Sequence, residues 1–219
     1  MYNATCLILF SEIKNHWSSD FLNSQLEMLS SFDQEKIAKY KNPQNQQLRI
    51  TSRLLLECGI KHFFQETLNI QQIQYKNNKP FLDDSVSFSF SHAHKVAVCA
   101  ITLGTPVGID IEEKKEINEL LFQDYLSLEE QNLLHQSSKK SSTFLEFWTK
   151  KEAILKAGGF GLTEINLKEL SSIPEPVVFE NKQYFTKSIE LHEGYVACLA
   201  SSEWIDEIII KEVILQKNL

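Results

Sequence analysis

Hydrophobic and polar positions divide the chain into readable pieces. An apolar run at residues 4–10 predicts a first strand, and the polar stretch that follows to Leu29, with an aromatic anchor at Trp17, is compatible with an amphipathic helix or a loop. Phe32-Asp33 ahead of residues 34–40 predicts a short capped helix. Asn42 as a cap and Pro43 at the first helical position open a longer helix, carried by Leu48, Leu54, Leu55, Leu56 and Ile60 towards Phe64. Residues 70–75 predict a strand and 76–80 a turn. Val86, Phe88 and Phe90 then alternate with Ser85, Ser87, Ser89 and Ser91, as in a strand with one apolar face. Residues 91–94 predict its turn, and the unbroken apolar run 96–103 a buried central strand.

The second half repeats this grammar. Residues 184–191 and 195–200 predict strands around a turn at His192-Glu193-Gly194, and HKVAVCAI at 94–101 is echoed by HEGYVACLA at 192–200. The echo predicts an α+β protein of two similar halves, residues 1–106 and 107–219. Residues 113–142 predict a charged, helical segment, and 208–210 an Ile-rich strand. Phe144, Phe147, Trp148, Ile154 and Leu155 recur at helical spacing until Gly158-Gly159 ends the pattern.

Charge changes the picture in two places. The 219 residues carry a net charge of −7, which argues against a general nucleic-acid binder and requires any anionic ligand to find a local basic cluster. The four cysteines lack CxxC spacing and predict reduced residues, three of them in apolar runs. With no run long enough for a signal-peptide core or a membrane span, a cytoplasmic protein is expected.

Three constellations carry candidate chemistry. Glu152 and Lys156 share a helix face with Trp148, so they form either a solvated i,i+4 pair or a half-buried acid and base. In GIDIE at 108–112, strand alternation turns Asp110 and Glu112 to one side, with alpha carbons roughly 6–7 Å apart. They are either acids in water or two ligands of one divalent cation. Arg49 and Arg53 share a face of the first long helix, and Arg53 pairs either with Glu57 or with an anion.

Together NNKPF at 77–81, FSFSHAH at 88–94, GIDIE at 108–112 and WTKKEAILKAGGFGL at 148–162 resemble the phosphopantetheinyl transferase superfamily, in its two-domain, surfactin-synthetase-activating type. The resemblance implies two α/β subdomains related by a pseudo-two-fold axis. It implies transfer of the phosphopantetheine arm of coenzyme A to a serine of an apo acyl or peptidyl carrier protein, with release of adenosine 3',5'-bisphosphate, by a monomer. Asp110, Glu112 and Glu152 would hold magnesium, for which manganese could substitute. Glu152 would orient or deprotonate the serine, and Lys156 would assist the departing phosphate. Lys79, Ser91, His92, Arg49 and Arg53 would contact the coenzyme, as would Asp110 and Lys156. Asn78 stands where the family usually has glycine and Ala93 where many members have serine. The segment 125–134 resembles the carrier-docking region, with Phe122, Tyr125 and Leu126 as anchors or as core, and Lys139, Lys140, Lys150 or Lys151 as partners of an acidic carrier. The alternatives are a silent coenzyme A-binding homologue and a metal-dependent pyrophosphate hydrolase.

Overall fold

A computed structural model describes residues 4–63, 69–76, 79–82, 85–161 and 165–215. The first half begins with strand β1 (Thr5–Glu12) and helices α1 (Ser19–Glu27), α2 (Ser31–Ala38) and α3 (Pro43–Phe63). A short 3-10 turn at Ile70–Gln72 leads to a hairpin of β2 (Gln74–Lys76) and β3 (Lys79–Phe81), then to β4 (Val86–Ala93) and β5 (Val96–Leu103). The second half comprises β6 (Val107–Glu113), a 3-10 segment (Glu119–Tyr125), helices α4 (Leu128–Gln136) and α5 (Lys140–Gly158), and strands β7 (Val177–Phe179), β8 (Lys182–Ile189) and β9 (Tyr195–Ser201). A final strand, β10 (Glu207–Glu212), follows.

Two four-stranded sheets form, in the orders β10-β1-β5-β4 and β6-β9-β8-β7. Alternation assigns their faces. Leu7, Leu9, Cys99 and Ile101 pack with Leu55, Leu56 and Ile60 of α3. Ile8, Val98 and Ala100 meet Ile109, Ile111 and Leu199 of the second sheet. Ala153, Ile154 and Ala157 of α5 close the far side over Cys198 and Ala200. The layers therefore run α3, first sheet, second sheet, α5, an α+β architecture as expected. The boundary at residues 106 and 107 falls between β5 and β6, but β10 pairs in parallel with β1, so the last strand returns to the first sheet.

Several element limits differ from the sequence expectation. The short second helix is capped by Ser30, whose hydroxyl accepts from the Asp33 amide at 3.2 Å. Asp33 is no cap, because its carboxylate turns inwards to Arg53. At 70–75 a 3-10 turn precedes a three-residue strand, where one strand was expected. Strand β4 continues through Ser91 and His92, since its ladder to β5 runs to the Ala93–Val96 pair, and the turn is His94-Lys95 with His94 at φ 47°. Phe64, Asn77, Asn78 and Leu162 lie outside the described residues.

Candidate functional site

The site exists because α5 can touch β6. A Cβ on Gly108 would sit 2.0 Å from the Ala153 carbonyl oxygen and 2.4 Å from the Ala157 nitrogen, so only glycine permits this backbone crossing. With Ile109 and Ile111 committed to the space between the sheets, Asp110 and Glu112 face α5, where Glu152 and Lys156 project from successive turns. Gly159, at φ 75°, ends α5 in a left-handed cap, and Lys79 Nζ from the hairpin donates to the Ala157 carbonyl at 2.7 Å.

Lys156 Nζ donates to Asp110 Oδ1 at 2.6 Å, to Ser91 Oγ at 3.1 Å and to the Ile109 carbonyl at 3.1 Å. Ser91 Oγ in turn donates to Asp110 Oδ1 at 2.8 Å. One oxygen of Asp110 is thus fully engaged. The other, Oδ2, and Glu152 Oε1 are buried without a hydrogen-bond partner among the described residues. Burial, and then the charges of Asp110 and Glu112, push Glu152 up to about 7 against the pull of Lys156. Burial and Asp110 likewise raise Glu112, which Trp148 hydrogen-bonds. Lys156 therefore pairs with Asp110 across 46 residues, where a simple i,i+4 pair with Glu152 was one reading. Among the described residues no three His, Cys, Asp or Glu side chains are gathered closely enough to hold a metal as they stand. Two orphaned carboxylate oxygens in a shared field nonetheless fit a hard, oxygen-seeking divalent cation.

Beside the acids lies a cavity of about 270 Å³ lined by Lys36, Arg49, Arg53, Lys79, His92 and Lys156, with no acid among its described lining residues. Its aromatic walls are Tyr75, Phe88, Phe90 and Phe160. Burial, then Arg49, Lys156 and Arg53, drive His92 down to about 3, so it stays neutral at ordinary pH. Burial and Lys182 lower Lys79 to about 8. A strongly basic pocket thus sits in a chain of net charge −7.

A profile described as the 4'-phosphopantetheinyl transferase superfamily matches residues 106–200, which contain both the acid strand and α5. The chain is 31% identical to 4'-phosphopantetheinyl transferase gsp of Aneurinibacillus migulanus, over 71% of this chain and 66% of that protein. It is 36% identical to psf-1 of Bacillus pumilus, over 50% and 51%. It is 22% identical to Sfp of Bacillus subtilis, over 84% and 87%. The chain belongs to the 4'-phosphopantetheinyl transferase superfamily. Its alignments span 41% to 66% of the lengths of gsp, HetI of Nostoc and psf-1.

Of this superfamily member's nine candidate site residues, Arg49, Arg53, Lys79, Ser91, His92 and Lys156 line the cavity, and Asp110, Glu112 and Glu152 stand beside it, joined to it through the Lys156–Asp110 pair. Arg53 is 6% exposed and bonded to Asp33, which replaces the expected choice between Glu57 and an anion. Lys151, expected as a surface partner of a carrier, is 1% exposed and bonded to Glu130, so it cannot meet a carrier. Leu126 is fully buried, Phe122 packs on Phe144 and Trp148, and of the three expected anchors only Tyr125 is exposed, at 41%. The chain pattern missed Lys36, Tyr75 and Asp33. Spacing held one usable signal, since Asp33 and Lys36 stand three apart and share a helix face.

Proposed function

We propose that the protein transfers the phosphopantetheine arm of coenzyme A to a serine hydroxyl of an apo carrier protein. The single observation that carries this reading is the meeting, across Lys156, of a basic cavity with no acid among its described lining residues and two carboxylate oxygens buried without a partner among the described residues. The cavity matches a ligand with several phosphates and an aromatic base. The oxygens match a cation on its pyrophosphate.

Asp110 Oδ2 and Glu152 Oε1, with Glu112 beside them, would hold magnesium or manganese, and the ion would neutralise charge developing on the pyrophosphate. The serine oxygen forms a new bond to the phosphorus nearest pantetheine. The bond from that phosphorus to the bridging oxygen breaks, and its electron pair leaves with adenosine 3',5'-bisphosphate. Glu152, within the same cluster, would orient the serine hydroxyl and take its proton. Lys156 offers its charge to the departing phosphate, exchanging one of its three acceptors to do so. Neutral His92 offers an uncharged hydrogen-bond donor, Ser91 would offer one only by giving up its bond to Asp110, and Lys79 and Arg49 supply charge. Lys139 and Lys140, unlike Lys151, are exposed where an acidic carrier could reach them.

The test is mass spectrometry of apo acyl and peptidyl carriers incubated with the protein, coenzyme A and magnesium. A phosphopantetheine increment on a carrier, lost with Glu152→Gln, is the expected result. Release of adenosine 3',5'-bisphosphate without any carrier would replace this reading with hydrolysis. Coenzyme A binding without either product would replace it with a silent homologue.

A further inference from the structure

Arg53 lines the cavity but has nothing left to give. Its Nε donates to Asp33 Oδ1 at 3.1 Å, and its Nη2 to the same oxygen at 2.7 Å and to the Tyr75 hydroxyl at 2.8 Å. Its Nη1 donates to Ser52 Oγ at 3.1 Å and to the Arg49 carbonyl at 3.2 Å. These five contacts account for all five N–H groups of a guanidinium. One face of the group lies 4.5 Å from the centre of the Phe90 ring. A bound phosphate could take a hydrogen bond from Arg53 only by breaking one of these.

Asp33 is the reason. It has no exposed surface, and its Oδ1 also accepts from the Tyr75 hydroxyl at 2.6 Å. Tyr75 stacks on Phe32 at 4.3 Å, and Lys36 Nζ stands 5.0 Å over the Tyr75 ring. The carboxylate therefore ties together α2, α3 and β2, the three elements that carry Lys36, Arg49 and Tyr75 to the cavity wall. Arg49 is left in a different state. It stacks 3.8 Å over Tyr40, and its Nε is buried with no partner among the described residues.

We propose that Asp33 is a positioning residue for the anion pocket: it converts Arg53 into a scaffold, so that Arg49 and Lys36 present the donors that a phosphate group meets. This rests on the reading of the cavity as a coenzyme A site. It makes a counter-intuitive prediction. Removing a negative charge beside an anion pocket should tighten anion binding on Coulombic grounds alone, whereas loss of positioning should weaken it.

Coenzyme A affinity is measured by titration calorimetry, and KM and kcat with an apo carrier, for the wild type, Asp33→Asn, Asp33→Glu and Tyr75→Phe. Asp33→Asn is expected to weaken coenzyme A binding about ten-fold, a loss of about 1.4 kcal/mol. KM should rise in step and kcat stay within about two-fold, the pattern of lost uniform binding. Asp33→Glu should recover part of the loss, and Tyr75→Phe, which keeps the ring and removes the two bonds of its hydroxyl to Arg53 and Asp33, should weaken binding about three-fold. Unchanged or tighter binding by folded Asp33→Asn would overturn the inference. Should Asp33→Asn fail to fold, Tyr75→Phe decides it, and wild-type affinity there overturns it equally. Failure of the wild type itself to bind coenzyme A would instead sink the functional reading, and this inference with it.

Discussion

Lys151 and Glu152 are neighbours on α5 and occupy opposite environments. Lys151 Nζ donates to Glu130 Oε2 at 2.7 Å and to the carbonyls of Tyr125 at 2.9 Å and Leu167 at 2.7 Å, which uses all three of its protons. Glu130 is equally complete, since Ser127 N, Ser172 N and Ser172 Oγ also donate to it. On the adjoining face, Glu152 Oε1 and Asp110 Oδ2 are buried with no partner among the described residues. A buried polar atom left unpaired costs about 1–3 kcal/mol. Saturation on one side and deficit on the other separate charges satisfied within the fold from charges that the fold leaves unsatisfied, which is the contrast on which the proposed ligand site rests.

The largest effect should come from exchanging the two faces in function. Glu152→Gln is expected to lower kcat by two or more orders of magnitude, within the range for loss of a general base, while leaving the melting temperature unchanged or higher. Lys151→Met should do the reverse. Leaving Glu130 buried without its counter-charge costs about 3–5 kcal/mol, with turnover per folded molecule retained. Chemical denaturation beside carrier-loading kinetics checks both. A Lys151→Met variant as stable as the wild type, or a destabilised Glu152→Gln, would erase the contrast.

Acidity offers a second, smaller handle. Glu152 is raised in the fold to about 7 from an ordinary carboxylate value of 4.5, so the folded state holds its proton where the unfolded state has lost it. Stability is therefore greatest below the unfolded value and falls as pH rises through about 7. The neutral amide introduced by Glu152→Gln carries no such cost. With metal chelated, the variant should match the wild type near pH 4.5 and exceed it at pH 8 by at most about 3 kcal/mol. A gap in melting temperature that is equal at both pH values would reject the idea that Glu152 is held in a deficit.

Much of this contrast was legible in the chain, because it is local. The 3.6-residue period fixes Glu152 and Lys156 on one face of α5, and the two-residue period fixes Asp110 and Glu112 on one face of β6. Gly108 stands in the sequence at the position where α5 crosses. What failed to show are contacts made across distance. Arg53 reads as a partner either of Glu57 four residues on or of an anion, yet its charge is met by Asp33, 20 residues earlier on another helix. Lys151, between Lys150 and Glu152, reads as a solvated lysine, and only the return of residues 167–172 and the placement of α4 bury it. Likewise β10, a plain Ile-rich strand, carries no mark of its parallel pairing with β1. Periodicity assigns a face, whereas the neighbour on that face is set by topology.

The serines of β4 give the smallest and sharpest test. Read as the polar side of a strand, they are in fact a seam: Ser87 Oγ accepts from the Val107 amide and Ser89 Oγ from the Ile109 amide, each at 3.1 Å, joining the edges of the two sheets without a backbone ladder. Ser91 continues the row but points its hydroxyl at Asp110. Along one strand the same residue type passes from saturated structure to the orphaned carboxylates. Ser89→Ala should then leave the Ile109 amide buried without its acceptor and cost about 1–3 kcal/mol. Because Ile109 O still receives Lys156, Asp110 and Glu152 keep their places, and carrier loading by the folded fraction should stay near the wild-type rate. Thermal melts and loading rates measured on the same sample distinguish the outcomes. A Ser89→Ala protein that melts like the wild type but loads carrier more slowly would move the boundary between the two kinds of charge two residues down the strand, from Ser91 to Ser89.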